Sequence, residues 1–212
     1  MRYLFLIIFL ITTFQTGSVE DCDDLIKKGI AALYNKEHSK SLELLTQAKT
    51  LAHKNDWQEQ EFIATNCIGL NFYQMLDYGE ALDYYLKAYT IALKASNSRQ
   101  EMTVLNNLAL VYMQEGKYKE SEKHQRRAYD LAVLAKDSIK IGMYSGNLAT
   151  IYNETKKLDE ASKYIDLAKK LLPKNSREYY QIAVAEATNL LARKNYDATL
   201  SLLNSFIRNL NS

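Results

Sequence analysis

Apolar residues recur along this chain at helical rather than strand spacing. Leu105, Leu108 and Tyr112 stand at i, i+3 and i+7, and Ser121, Gln125 and Ala128 repeat that spacing a little further on. Each set marks one face of a helix turned toward a core. Between them lies Gln114–Lys117, where Gly116 can take a positive φ after a helix end. The pattern predicts two helices joined by a short turn.

The same pattern returns at a shift of 40. Gly29, Gly69, Ala109 and Ala149 share one column, and Ala32, Phe72, Tyr112 and Tyr152 share the next. His38, Tyr78, Tyr118 and Leu158 follow, then Ser41, Ala81, Ser121 and Ala161, then Ala48, Ala88, Ala128 and Ala168. A period of this length is the mark of a stacked helical array. Small residues at matching places on both helices of a pair let the backbones approach closely. The flanking Tyr, Leu and Ile then fill the space between successive pairs. A fifth copy carries Ala187, Leu190, Tyr196, Thr199 and Leu203, at a shift of 38.

These columns resemble the tetratricopeptide repeat. Its signature is carried in the second copy by Ile68, Gly69, Phe72, Ala81, Tyr85 and Ala88. The third has Leu108, Ala109, Tyr112, Ser121 and Ala128, but Gln125 stands where a bulky apolar residue is usual. The first is weaker, with Lys28 in place of Leu, and Pro173 stands where the family often ends a repeat. The resemblance implies an all-α, right-handed α-solenoid of about five helix-turn-helix units, near 22–55, 57–97, 98–137, 138–174 and 176–210. The family period is about 34 residues; the surplus, if helical, adds ~9 Å shared between two helices. Repeats of this length resemble those of tetratricopeptide sensors and peptide-binding regulators. Helix starts are expected at three capping-box patterns: Asp56-x-x-Glu59, Ser98-x-x-Glu101 and Asn175-x-x-Glu178. The acidic run at residues 20–24 is expected to open the first helix.

In such a family the first helix of each pair lines a concave groove, an extended surface built from side chains one repeat apart. Helical spacing places Asn66, Leu70 and Tyr73 on one face, with Asn106, Leu110 and Met113 at the equivalent places of the third copy. The fourth presents Gly146, Thr150 and Asn153, and Asn107 and Asn147 match the asparagine often found before the family's Leu-small pair. An amide side chain both donates and accepts, so a ladder of them can hold a peptide backbone whatever its side chains. The resemblance therefore implies a protein or peptide partner, with Asn66, Asn106, Asn107 and Asn147 on its backbone and Leu70, Tyr73, Leu110 and Met113 as apolar walls. The rival reading is that these amides only bond neighbouring helices. The Lys and Arg with which chaperone-binding members clamp a carboxylate are missing from the inner positions Ile26, Ile30, Asn66, Asn106 and Asn107.

Composition adjusts this picture little. The 212 residues are 47% hydrophobic and 25% charged with one proline, which suits a globular helical chain. Net charge is +2 with both signs dispersed, so no basic stripe suggests a nucleic-acid partner. The first residues differ: Arg2 precedes an apolar run over Tyr3–Phe14, and Thr16 and Ser18 suit cleavage after Ser18. That reading makes 1–18 a signal peptide and 19–212 an exported, periplasmic or secreted, repeat domain; an uncleaved N-terminal membrane anchor is the alternative.

No catalytic pattern stands out. His38, His53 and His124 lack metal-ligand spacing, and there is no H-E-x-x-H, G-x-S-x-G or phosphate-binding loop, so neither metal nor cofactor is expected. Cys22 and Cys67 read as unpaired thiols. The interleaved run at 117–127 reads as the solvated face of an outer helix, and Asn153-Glu154-Thr155 is a formal glycosylation sequon. Near the end, Leu203, Phe206, Ile207 and Leu210 form an apolar stripe. Either the fifth pair hides it, or a second chain covers it in self-association, or further sequence does. The functional expectation is a non-catalytic protein-binding module. A scaffold subunit of an envelope complex and the sensor portion of a membrane-linked regulator are the alternatives.

Overall fold

The computed structural model describes residues 17–210, which form ten helices. In chain order they are α1 (Val19–Tyr34), α2 (His38–Lys54), α3 (Gln58–Gln74), α4 (Tyr78–Lys94) and α5 (Ser98–Gln114). There follow α6 (Tyr118–Leu134), α7 (Ser138–Glu154), α8 (Leu158–Leu171), α9 (Arg177–Ala192) and α10 (Tyr196–Leu210). Consecutive helices pair antiparallel and the pairs stack into an all-α solenoid. The leader expected over 1–18 lies almost wholly outside the described residues.

The period of 40 has a simple mechanical origin. From α2 to α7 every helix has 17 residues, and three-residue turns separate them. In each turn the middle residue is left-handed: Lys36, Asp56, Leu76, Ser96, Gly116, Lys136 and Lys156 all have positive φ. The third residue donates its N–H five residues back, as from Asp77 to Phe72, Lys117 to Tyr112 and Asp137 to Ala132. This is the hydrogen-bond pattern that closes a helix on a left-handed residue. Gly116 fills that place as its freedom predicts, yet elsewhere side chains accept the strain. The surplus over the usual family repeat is helical.

The small residues sit where the two helices of a pair cross. Ala48, Ala88, Ala128 and Ala168 are wholly buried, as are Ala81 and Ala161. A β-carbon on Gly29 would meet Leu45 at 2.7 Å, and one on Gly69 would meet the Tyr85 ring at 2.8 Å. Ser41 and Ser121 use the same closeness to donate 2.7 Å hydrogen bonds to the carbonyls of Gly29 and Ala109. Gln125, in the column of Leu45 and Tyr85, is fully buried, and neither polar atom of its amide has a partner.

Three expectations need correction. The capping boxes are each displaced by one residue: Asp56 is the left-handed turn residue, Ser98 is already helical behind the N-cap Asn97, and Ser176 rather than Asn175 caps α9. The complete box is at Ser18, whose hydroxyl accepts from the Asp21 amide while Asp21 accepts from Ser18. The run at 117–127 is also not simply solvated. Glu122 takes bonds from Arg126, Tyr152 and Lys157, and Arg127 pairs with Glu101 at 3.2 Å. Finally, the fifth pair does not hide its stripe, for Leu203 and Ile207 are exposed. Phe206 and Leu210 lie outside the residues whose side chains are described.

The array changes phase after α8, which is three residues shorter than each of α2 to α7. Leu172 is extended, as the residue before a proline prefers. Helix α9 then leans closely on α7, so that Ile182 lies against Gly146 and Leu172 against Gly142. Cys22 and Cys67 are both free thiols.

Candidate functional site: a chain of amides on the inner face

The first helices of successive pairs touch one another, α1 with α3, α3 with α5 and α7 with α9. They therefore form the inner side of the curve. On this side the four candidate asparagines are brought together. Asn147 donates from Nδ2 to Asn106 Oδ1 at 2.8 Å, and Asn107 donates to Asn66 Oδ1 at 2.9 Å. A longer contact of 3.5 Å from Asn106 to Asn107 joins the two halves. The sequence reason is a one-residue offset: each link spans 41 positions, so an asparagine of one repeat reaches its neighbour's preceding column.

All four are half-buried. At the ends of the chain, Asn66 keeps its own N–H donors and Asn147 its own carbonyl oxygen outside these links. Leu70, Leu110, Tyr73 and Met113 are half-buried beside them, as apolar walls should be. The Tyr73 ring lies 5.7 Å from that of Tyr78, and its hydroxyl accepts from Gln114 at 3.4 Å. Burial pushes the Tyr73 phenol above its ordinary range. Thr150 is half-buried but donates its hydroxyl to its own helix, at the Gly146 carbonyl.

Asn153 is the exception and a correction. It is only 3% exposed, donates to the Ala185 carbonyl at 2.8 Å and accepts from Asn189 at the same distance. The close approach of α9 buries it, so the acceptor asparagine of the sequon is buried although Glu154 beside it is exposed. Two contributors to the face were not foreseen. Gln114, the last residue of α5, reaches this face through its bond to the Tyr73 hydroxyl. Cys67 is half-buried next to Asn66, and burial raises its thiol to about 11, which keeps it protonated and unreactive at neutral pH. A comparison of the columns at shift 40 exposes both, because Gln74 precedes Gln114 and Asn107 follows Cys67.

The amides of this face present both donors and acceptors. Among the described residues no group of three or more His, Cys, Asp or Glu could hold a metal ion, and no helix is long and apolar enough to cross a membrane.

Helix pairs in fixed phase, with crossing points of Gly, Ala and Ser and an amide-bearing inner face, define a helical-repeat binding array. The tetratricopeptide repeat family matches residues 60–132 and again 100–174, more than half of the chain, and the protein belongs to that family. No curated protein matches the sequence. Among solved structures, the fold is similar to aspartyl phosphate phosphatase F from Bacillus subtilis, at 16% identity and a TM-score of 0.80 over 92% of this chain and 50% of that one. It is similar to the apo form of RapI, at 17% identity and a TM-score of 0.75 over 88% and 53%. It also resembles the Rap conjugation gene regulator of plasmid pLS20 in complex with the Phr* peptide, at 22% identity and a TM-score of 0.72 over 92% and 53%. The chain spans about half the length of these three. Tetratricopeptide domains are typically protein- or peptide-binding modules and usually non-catalytic, although one of these neighbours is named as a phosphatase.

Proposed function

We propose that this protein is a non-catalytic binding module that holds an extended segment of another polypeptide on its inner face. The observation that carries this reading is the half-exposed chain of amides from Asn147 through Asn106 and Asn107 to Asn66. Amides already aligned across three helices can exchange bonds with a peptide backbone at little conformational cost. The binding of a peptide by the plasmid regulator's structure adds support by analogy of fold. Replacing all four asparagines by Ala should abolish capture of a polypeptide partner from an envelope extract while helical content stays at the parent level. Capture that persists undiminished in this variant would sink the reading.

The exposed Leu203 and Ile207 favour a second role, self-association through α10 within a larger assembly. Changing both to Glu should then reduce the particle's size by gel filtration and light scattering; an unchanged size removes that role. The sensor portion of a membrane-linked regulator stands as a further alternative, resting on the family resemblance. Export with cleavage near Ser18 remains our reading of the leader, with membrane anchoring as its alternative. Since Ser18 caps α1, cleavage after it leaves the first helix without its cap, and the intact mass of the chain from the source cell decides between the two.

A further inference from the structure

The outer side of the solenoid carries a second, unrelated cavity. It lies between α2 and α4, with α3 as its floor, and encloses about 720 Å³, a volume in the range of small-molecule sites. Its walls include Thr50, Thr90 and Ile91, and Thr65 forms part of the floor. Thr50 and Thr90 give their hydroxyls to their own helices, at the carbonyls of Thr46 and Leu86. Three lysines of the lining, Lys49, Lys54 and Lys87, outnumber its one acid, Glu61, which pairs with His53.

Comparison with the next groove along the array shows what opens this one. A shift of 40 carries Lys49 to Tyr89 and Thr65 to Leu105. Between α4 and α6, Leu105 is fully buried and Tyr89 packs on the same cluster. Arg127 there also closes onto Glu101 at 3.2 Å. Their counterparts do not meet between α2 and α4, because Lys87 turns to Asp83 at 2.5 Å and Glu61 to His53 at 2.9 Å. The exchange of an aromatic for a lysine and of a leucine for a threonine therefore leaves a cavity here where the adjacent groove is packed. Thr65 is 2% exposed, and its hydroxyl has no hydrogen-bond partner. A buried hydroxyl left unpaired is costly unless something occupies the place beside it.

We propose that this outer groove binds a small amphiphilic anion, its apolar body on Thr50, Thr90 and Ile91 and its acidic head among Lys49, Lys54 and Lys87. The lysines favour a negative head over a neutral or positive one. Lys49 lies 5.5 Å and Lys87 4.8 Å from the Tyr84 ring centre, which gathers two ammonium groups from different helices around one point. Two sources share this chemistry, a carboxylate on an aliphatic tail and a phosphate on one.

Titration of the purified full chain with decanoate and with decyl phosphate, below their micelle concentrations, tests this. Calorimetry gives the affinity, and Trp57, the only tryptophan and the N-cap of the floor helix α3, gives an independent fluorescence signal. At least one of the two anions should bind saturably, one per chain, and at least tenfold more tightly than decan-1-ol. Which one binds assigns the head group. Lys49→Tyr and Thr65→Leu copy the packed neighbouring groove and so should fold, and each should weaken binding at least tenfold. No saturable binding of either anion, equal affinity for the alcohol, or full affinity in both variants would overturn the proposal. The fourfold asparagine variant should bind the anion like the parent, so the two sites are judged separately.

Discussion

The second and third helix pairs share one backbone frame and fill it differently. In the second, Gly69 receives the fully buried ring of Tyr85; in the third, Ala109 stands in the same column and Gln125 takes the place of the ring. Phe72 stacks on Tyr84 at 5.5 Å in one, and Tyr112 stacks on His124 at 5.3 Å in the other. The left-handed turn residue is Leu76 in one and Gly116 in the other. Phase along the chain is thus set by backbone geometry, while each crossing point is solved locally by a matched pair of side chains. A substitution should be judged against the residue it faces rather than against its column.

The largest effect expected from breaking that match is at Gly69. An alanine there places its β-carbon 2.8 Å from two ring carbons of Tyr85, a group with no room to move. Overpacking of this kind costs about 1–3 kcal/mol, against a helix-propensity gain of ~1 kcal/mol. Gly69→Ala should lower stability in urea unfolding by a net of up to ~2 kcal/mol. The double variant with Tyr85→Ile copies Ala149 and Ile165 of the fourth pair, and should lose less than the two single variants added together. Simple additivity would show that the two positions are not matched.

A change of opposite sign is expected in the third pair. Gln125→Leu replaces an amide with no partners by an apolar group of similar size, and should raise stability by ~1–2 kcal/mol. A loss instead would mean that the amide has a partner in solution.

The smallest effect is at His124 and depends on pH. Burial, assisted by Lys123, holds its imidazole below the ordinary histidine value. The folded chain therefore keeps it neutral where the unfolded chain would protonate it. Stability contributed at this position is present above about pH 6.5 and declines as pH falls from there toward the lowered folded value. His124→Tyr, which copies Tyr84 of the second pair, should flatten the change in urea midpoint between roughly pH 7 and pH 5. An identical pH profile in parent and variant would place the titration elsewhere.

How much of this was legible in the residues depends on what each feature needs. The columns at shift 40 expose every crossing point, because a small residue facing a small residue has one structural meaning in a helix pair. Helix starts differ by one residue from the capping-box patterns because Asn97 and Ser176, each beside the expected residue, make the cap instead, and because Asp56 occupies the turn's left-handed position. No side-chain pattern announces that place. The four asparagines of the inner face are legible as a set, but their hydrogen-bond partners are not, since the links join columns offset by one. Asn153 could be placed only with knowledge of how α9 settles after Pro173. The outer groove could not be read from its columns, since Lys49 shares one with Tyr89, Tyr129 and Lys169, and Thr65 shares one with Leu105, Ser145 and Ala185; only the packing of the adjacent groove gives the difference meaning.

The three-residue turn has one more consequence. Because every helix from α1 to α7 closes on the same left-handed turn position, the first three pairs each leave the chain pointing as it entered, ready for an identical successor. Length is therefore a quantity this architecture leaves open. A segment of 40 residues can be duplicated or removed in whole steps, and each remaining pair still meets the same kind of neighbour. Any insertion that is not a multiple of that step would rotate everything downstream. The break after α8 is a natural instance: α10 begins 38 rather than 40 residues after α8.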